Sequence, residues 1–587
     1  RGERLAHLGL ASIQPDMGLE ALSRLLGSTQ AQAAVLPMDW ARFGHRAGVR
    51  PLYAHLIPGP ATGDALELRI PAARSPRQDL LALPAEARQD WLVAFLAQEL
   101  SRSLRIPVAR IDTEVALPRL GLDSLTATEL KNRIRDGLEC VIPVVKFLEG
   151  LTIRDLAEHV LETFEQGTES TAATIDLTQE AALDPTIVPP ADPLPVRAEP
   201  GTLLLTGATG LLGAYLLHDL LEATPAKVYC LVRATEPGDA MRRVRQNLEA
   251  HGLWQESHAT RVEAVHGDLT LPRLGLSDER FAQLALEVDV IYHCGAEPNH
   301  LYPYAALKGP NVIGTQEILR LAFQTRIKPV HMVSTLALFA TEEFAGRRVV
   351  ETDWPERWQS VISGYLQSKW VAEKLVAAAQ DRGLPVSVYR PGFIGGSQRT
   401  GVSNLSDMVC RMVQAWIRMQ AAPDAETPLD ILPVEVVSQA IVQLSLQASQ
   451  TDQCFHLIHP RPATWKSLAE HLQAKGYPIR LMPLEEWKRH LARISGDQPD
   501  DALRVLQPFF AERAPGEPPS LWELFFLDQS PAFDCRYTWE RLAPCMIPCP
   551  PLDGRLFDTY LDYMIKLGFV PPFSEQADVT PAVSRGG

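Results

Sequence analysis

The chain has 587 residues, of which 46% are hydrophobic and 22% charged, and a formal charge of −15. That length exceeds what one hydrophobic core organises and points to about three or four domains, while the acidic excess excludes a nucleic-acid partner, because phosphate binding calls for clustered positive charge. No apolar run approaches the roughly 20 residues that cross a bilayer, and the opening Arg1-Gly2-Glu3-Arg4 has no signal-peptide character; a cytoplasmic protein without a membrane partner is expected.

The first residue is not Met, and the chain is expected to be a piece of a longer polypeptide. Eight cysteines are scattered without CxxC spacing, so structural thiols and no metal centre are expected. Residues 1–55 form a first segment with apolar stretches Leu10 to Leu19 and Ala34 to Trp40. Residues 56–83, rich in Pro, Ala and Gly, read as a linker. Residues 84–164 carry helical stripes at Trp91, Phe95 and Leu100, at Leu125, Leu130 and Ile134, and at Ile153, Leu156 and Val160, which predict a small four-helix bundle. Residues 165–200, with their stacked prolines from Pro189 to Pro195, read as a stiff extended spacer.

From residue 201 short apolar strands alternate with helical segments. Strands are predicted at 202–206, 227–232, 262–265, 288–293, 329–334 and 386–389, an α/β doubly wound parallel sheet of Rossmann type across residues 201–477. Residues 478–587 are expected to form a mainly helical substrate-binding lid and tail.

Gly121-Leu122-Asp123-Ser124-Leu125 places Ser124 at the start of a helix, where unpaired amides and the helix dipole would stabilise a phosphodiester. A plain N-cap is the other reading of the same serine. Gly207-Ala208-Thr209-Gly210-Leu211-Leu212-Gly213 follows an apolar strand and opens a helix, the setting of a dinucleotide-binding loop. The next strand ends in Arg233 where an acidic residue would bind the ribose of NAD; arginine there selects NADPH. Arg243, on the following helix, suits either the same 2'-phosphate or a solvated surface, and Asp268 and Leu269 after the third strand are placed to meet the adenine.

Tyr365 and Lys369 are four residues apart and share one helix face. A phenol with a pKa of about 10 exchanges protons poorly at neutral pH, and a nearby ammonium favours the phenolate. Thr335, after the apolar Val333, ends a strand where its hydroxyl can hold a substrate oxygen.

The text around Ser124 resembles acyl carrier proteins of modular polyketide synthases, which implies a 4'-phosphopantetheine arm on Ser124 installed by a phosphopantetheinyl transferase. The glycine loop, Leu231-Val232-Arg233-Ala234, Val333-Ser334-Thr335, Gly364 to Lys374 and Tyr389-Arg390-Pro391-Gly392 resemble extended short-chain dehydrogenase/reductases, in particular their thioester reductase branch. That resemblance implies catalytic roles for Thr335, Tyr365 and Lys369, with Lys369 also on the nicotinamide ribose. It further implies a nicotinamide-side loop at Pro391 and Ile394, and a support for the lysine at Asn311. Cys294 and Glu435 depart from the usual family residues; a buried thiol and an altered structural hydrogen bond are expected there. Residues 1–55 resemble the C-terminal remnant of a ketoreductase. The implied function is reduction by NADPH of a carrier-tethered acyl thioester delivered from upstream polyketide synthase modules, giving an aldehyde or, after a second reduction, an alcohol. Two alternatives stay open: an extended reductase or epimerase acting on a free small molecule, and a carrier and docking module whose reductase fold is inactive.

Overall fold

The computed structural model describes residues 76–573 apart from 105–107, 109–110, 116, 121–129, 131–132, 135–136, 139–141, 143–146, 148–150, 167–175, 196–198, 235, 301, 362, 448–452, 498–502, 504–505, 511–522, 524 and 527–529. Ser124 and the ketoreductase-like segment lie outside the described residues. No helix among the described residues is long and apolar enough to cross a membrane.

In the carrier region, helix α1 (Ala85–Leu104) packs on α2 (Ile153–Gln166). Leu92, Leu96 and Leu100 meet Leu130, Ile134, Leu138, Ile153, Leu156 and Val160 in one core. Spacings of four put these leucines on one side of α1, which is why the helix buries that stripe. Leu80, in a preceding helix at Pro76–Ala82, is fully buried in the same core. The stretch that composition reads as a linker therefore includes a helix that packs on this core.

The second spacer also departs from its reading. Residues 176–195 are strapped onto the reductase: Leu177, Leu183 and Ile187 are buried in its core. The Arg382 guanidinium donates to the carbonyls of Leu183, Asp184 and Ile187, and Asp184 pairs with Arg320 at 2.7 Å. Three apolar residues spread over this stretch suffice to hold it down, although its prolines suggest a free rod.

Seven parallel strands form the central sheet: β1 (Thr202–Thr206), β2 (Lys227–Val232), β3 (Val262–His266), β4 (Val290–His293), β5 (Val330–Val333), β6 (Val386–Pro391) and β7 (Cys454–Leu457), in the order β7-β6-β5-β4-β1-β2-β3. The 3-2-1-4-5-6 portion is the Rossmann order, with its reversal at β1 and β4. Strand alternation sorts the apolar residues: Leu203 and Leu205 of β1, with Val228, Cys230 and Val232 of β2, face one core, and Leu204, Tyr229 and Leu231 face the other. Helices α3 (Leu211–Ala223), α4 (Pro237–Ala250) and α8 (Val434–Ser445) cover the first face, and α5 (Gly314–Phe323) and α6 (Gly364–Asp381) the second. The strand prediction does not include β7. Four residues, Cys454-Phe455-His456-Leu457, are too few to show a period.

A third core gathers α7 (Met408–Met419), α9 (Trp465–Ala474) and α10 (Gly554–Lys566) around Trp416, Trp465 and Trp487. This subdomain draws on residues before and after α8 and β7, so chain order does not separate it from the nucleotide-binding core at residue 477. Ala532–Phe533 returns to pair with Arg348–Val349 in the reductase.

Candidate active site

The carboxyl ends of β1, β2, β4, β5 and β6 carry the residues singled out by sequence. Gly207 has φ +82°, and a Cβ there would stand 2.8 Å from Gly295 N. A Cβ on Gly213 would stand 1.9 Å from the Gly207 carbonyl oxygen, so glycine is obligatory where α3 crosses the loop. Gly210 caps α3 without a side-chain hydrogen bond, leaving the first amides, at Leu211 and Leu212, to an anion. Thr209 stands half-buried in this loop. Asn247, which sequence reasoning passed over, braces the loop from α4: its amide donates to the carbonyls of Ala208 (3.0 Å) and Gly210 (3.1 Å).

Arg233 is exposed just beyond β2, and Arg243 donates to its backbone carbonyl, which brings both guanidinium-bearing residues to one edge of the loop. Asp268 turns its carboxylate onto Thr270, at 2.9 Å from the amide and 2.8 Å from the hydroxyl, and so shapes the turn after β3. Leu269 abuts Gly295 and Gly314, where a Cβ would meet it at 2.9 Å. A glycine cradle, open helix amides and an arginine edge fit a pyridine dinucleotide.

Tyr365 and Lys369 lie one turn apart on α6, both buried. Lys369 Nζ donates to the Val333 carbonyl at 2.9 Å, which fixes the ammonium against the end of β5. Burial lowers Lys369 to about 8 and pushes Tyr365 above its ordinary value. Desolvation acts on Tyr365 against the phenolate that a nearby ammonium was expected to favour. His300, unnoticed in the sequence, packs its ring edge-on to Tyr365 with centroids 4.8 Å apart, and burial lowers it to about 4, so it is neutral. Cys294, expected to be a buried thiol, is only half-buried against the core, and desolvation pushes it up to about 11, so it stays a thiol.

Thr335 follows β5 and accepts the Ala337 amide at 3.2 Å, which leaves its single proton to donate. Its neighbour Ser334 is buried and bonds Glu373, which in turn pairs with buried Arg390 at 2.8 Å. Breaking such a pair costs about 3–5 kcal/mol, so this group holds β5, β6 and α6 together. Asn311, expected to support Lys369, bonds Ser368 (2.8 Å) and the backbone of Glu297 instead. Gly364 is required where α6 begins, since a Cβ there would lie 2.3 Å from Pro303 C. The adjoining Tyr302 packs against the carrier core.

Pro391 ends β6, and Ile394 lies in Phe393–Gly395, paired with Ile431–Pro433. Glu435 accepts from Ser397 Oγ (2.6 Å) and Gln398 N (3.1 Å), the structural bond expected of it. Beside Ile394, Gly395 and Gly396 opens a mostly apolar pocket walled by Val413, Leu472, Phe557 and Met564 of the third core. No sequence signal marked it, because its walls come from α7, α9 and α10.

Fold and site together define a Rossmann-type nucleotide-dependent reductase of the extended short-chain class joined to a carrier. Residues 205–441 match the NAD-binding family described as male sterility protein, and residues 94–160, which include Ser124, match the phosphopantetheine attachment site family. The terminal R domain from the myxalamid PKS-NRPS biosynthetic pathway is 39% identical with a TM-score of 0.63, covering 68% of this chain and 99% of that one. A linear gramicidin synthase polypeptide of Brevibacillus parabrevis is 39% identical over 460 residues, 76% of this chain. Glycine betaine reductase of Emericella nidulans is 33% identical over 499 residues, 81% of this chain. The chain spans 9% and 37% of the lengths of these two relatives. It belongs to the family of terminal reductase domains of carrier-bearing synthetases.

Proposed function

We propose that this chain releases a finished polyketide acyl chain by NADPH-dependent reduction of its thioester. The observation that carries the reading is the presence in one chain of a phosphopantetheine-attachment match and a reductase-family match, with Lys369 held on the Val333 carbonyl two residues before Thr335 and Tyr365 one turn before Lys369 on α6. Ser124 carries the arm, put on by a phosphopantetheinyl transferase, and upstream polyketide synthase modules supply the acyl group. The polyketide assignment rests on the carrier text around Ser124; the relatives include a gramicidin synthase and a mixed PKS-NRPS reductase.

Gly207, Thr209, Gly210, Leu211, Leu212 and Gly213 hold the pyrophosphate of the cofactor, Arg233 with Arg243 its 2'-phosphate, Asp268 and Leu269 the adenine side, and Lys369, Pro391 and Ile394 the nicotinamide side. When bound, NADPH supplies the hydride. Thr335 and Tyr365 donate to the thioester oxygen and stabilise the charge that develops there, a contribution of about 10²–10³ in rate per donor. Tyr365 then gives its proton to that oxygen, and Lys369 steadies the resulting phenolate. Loss of the pantetheine thiol leaves an aldehyde; a second reduction gives the alcohol. Tethering raises the local substrate concentration to about the millimolar range, so the cleft need not bind the chain tightly.

The test is to load the chain with an acyl-pantetheine, add NADPH and identify the released product by mass. Aldehyde or alcohol with matching NADPH oxidation is expected. An intact acyl thioester with no NADPH consumed would overturn the reading.

A further inference from the structure

Away from the reductase site, the last turn of α3 meets the segment that follows α4. His218 and Glu222 stand one helical turn apart on α3, and His258, fully buried, comes from the short turn Glu256–His258. One ligating atom from each of the three lies within 4.8 Å of the others. His258 Nε2 is 3.3 Å from a Glu222 carboxylate oxygen, and the two imidazole centroids are 5.7 Å apart. Among the described residues, Nδ1 of His218 and Nδ1 of His258 are both buried without a hydrogen-bond partner. Two adjacent buried imidazoles, each with one unmet ring nitrogen and one of them bonded to Glu222 through its other nitrogen, call for an explanation.

We propose that His218, Glu222 and His258 form a three-ligand site for a divalent transition metal of the zinc type. Two imidazoles and a carboxylate are the ligand set such an ion takes, with a water in the fourth position. His218 has the support a ligating histidine needs, because it also hydrogen-bonds the Leu253 backbone, the kind of contact that fixes a ring and its tautomer. Ligand atoms around tetrahedral zinc are about 3.4 Å apart. Glu222 is half-exposed and closes the remaining distance by rotating its side chain. The carboxyl end of a helix also favours a cation.

The site would clasp the far end of α3, whose near end is the pyrophosphate cradle, to the segment after α4, which carries the loop brace Asn247. Its role is therefore to stiffen the nucleotide-binding half, not to take part in hydride chemistry.

The experiment uses the tag-free chain stripped of metal and titrated with Co²⁺ alone, followed by Zn²⁺ competition. One equivalent of Co²⁺ with tetrahedral ligand-field bands, displaced by Zn²⁺, is expected, together with a higher unfolding temperature in Zn²⁺. His218→Gln should weaken binding by about tenfold or more. Because that variant could lose fold, Glu222→Gln, at a half-exposed position, serves as the second: it should lose the same affinity and the Zn²⁺-dependent temperature rise, while its metal-free NADPH oxidation matches the parent. Absence of stoichiometric binding, or binding undiminished in Glu222→Gln, would overturn the proposal.

Discussion

Tyr365 is held among apolar neighbours and the neutral His300 ring, and desolvation keeps its proton in place at neutral pH. A reductase needs this, because the phenol must give a proton to the reduced oxygen rather than accept one. Tyr365→Phe should lower kcat by about 10²–10⁴ with little change in the Kd for NADPH, measured by cofactor fluorescence. Lys369 supplies the pH dependence. Burial lowers it to about 8 from an ordinary 10.5, so the folded state binds this proton less tightly than the unfolded chain does. It therefore costs stability below about pH 8, and the cost fades as pH rises from 8 to 10.5. Activity moves the other way: kcat/KM for a free pantetheine thioester should fall as pH rises through about 8, and Lys369→Arg should carry that limb upward. A limb left in place by the arginine variant would assign it to another group. Arg233 makes an independent claim about the cofactor. Arg233→Ala should cut the preference for NADPH over NADH by about 10- to 100-fold, the worth of a charged hydrogen bond, read from the ratio of kcat/KM values.

The β1–α3 loop works as a unit with α4. Gly207 and Gly213 allow the close crossing, and Asn247 holds two loop carbonyls that would otherwise turn away. Asn247→Ala should weaken NADPH binding by about 1–2 kcal/mol, roughly 5- to 30-fold, with Tyr365-dependent chemistry unchanged at saturation. Sequence pattern located the glycines because their spacing is dictated by local geometry. Asn247 escaped it because a bond from α4 back to the loop joins residues 39 and 37 positions apart, which no short motif records. The same holds for β7: β1 is announced by three successive leucines, whereas Cys454–Leu457 becomes a strand through its neighbour β6. The strap at residues 176–195 is the third case. Its prolines announce stiffness, but Arg382 and Arg320 decide where it lies.

In the whole molecule the nucleotide-binding sheet and the third core are not consecutive blocks. The chain enters the third core at α7, returns to the sheet for α8 and β7, and leaves again at α9. That weaving sets an apolar cavity beside Ile394, just past β6; separately, Tyr302, next to the start of α6, packs against the carrier core. If delivery runs through the tether, Ser124→Ala should abolish reduction of substrate loaded onto the carrier while leaving reduction of a free acyl-pantetheine within about twofold of the parent. Mass analysis of the released product separates the two.

The residues alone announced a carrier, a dinucleotide loop, an arginine suited to NADPH, and the Thr335, Tyr365 and Lys369 set, because each depends on contacts within a turn or two of chain or on a strand that ends beside its own helix. Packing decided the rest. Burial, a property of the assembled core, raised Tyr365 above its ordinary value and lowered Lys369 to about 8. Long-range hydrogen bonds turned a spacer into a strap and Asn247 into a brace. The cavity beside Ile394 exists only where helices distant in sequence come together, so its shape was never written in any one stretch of the chain.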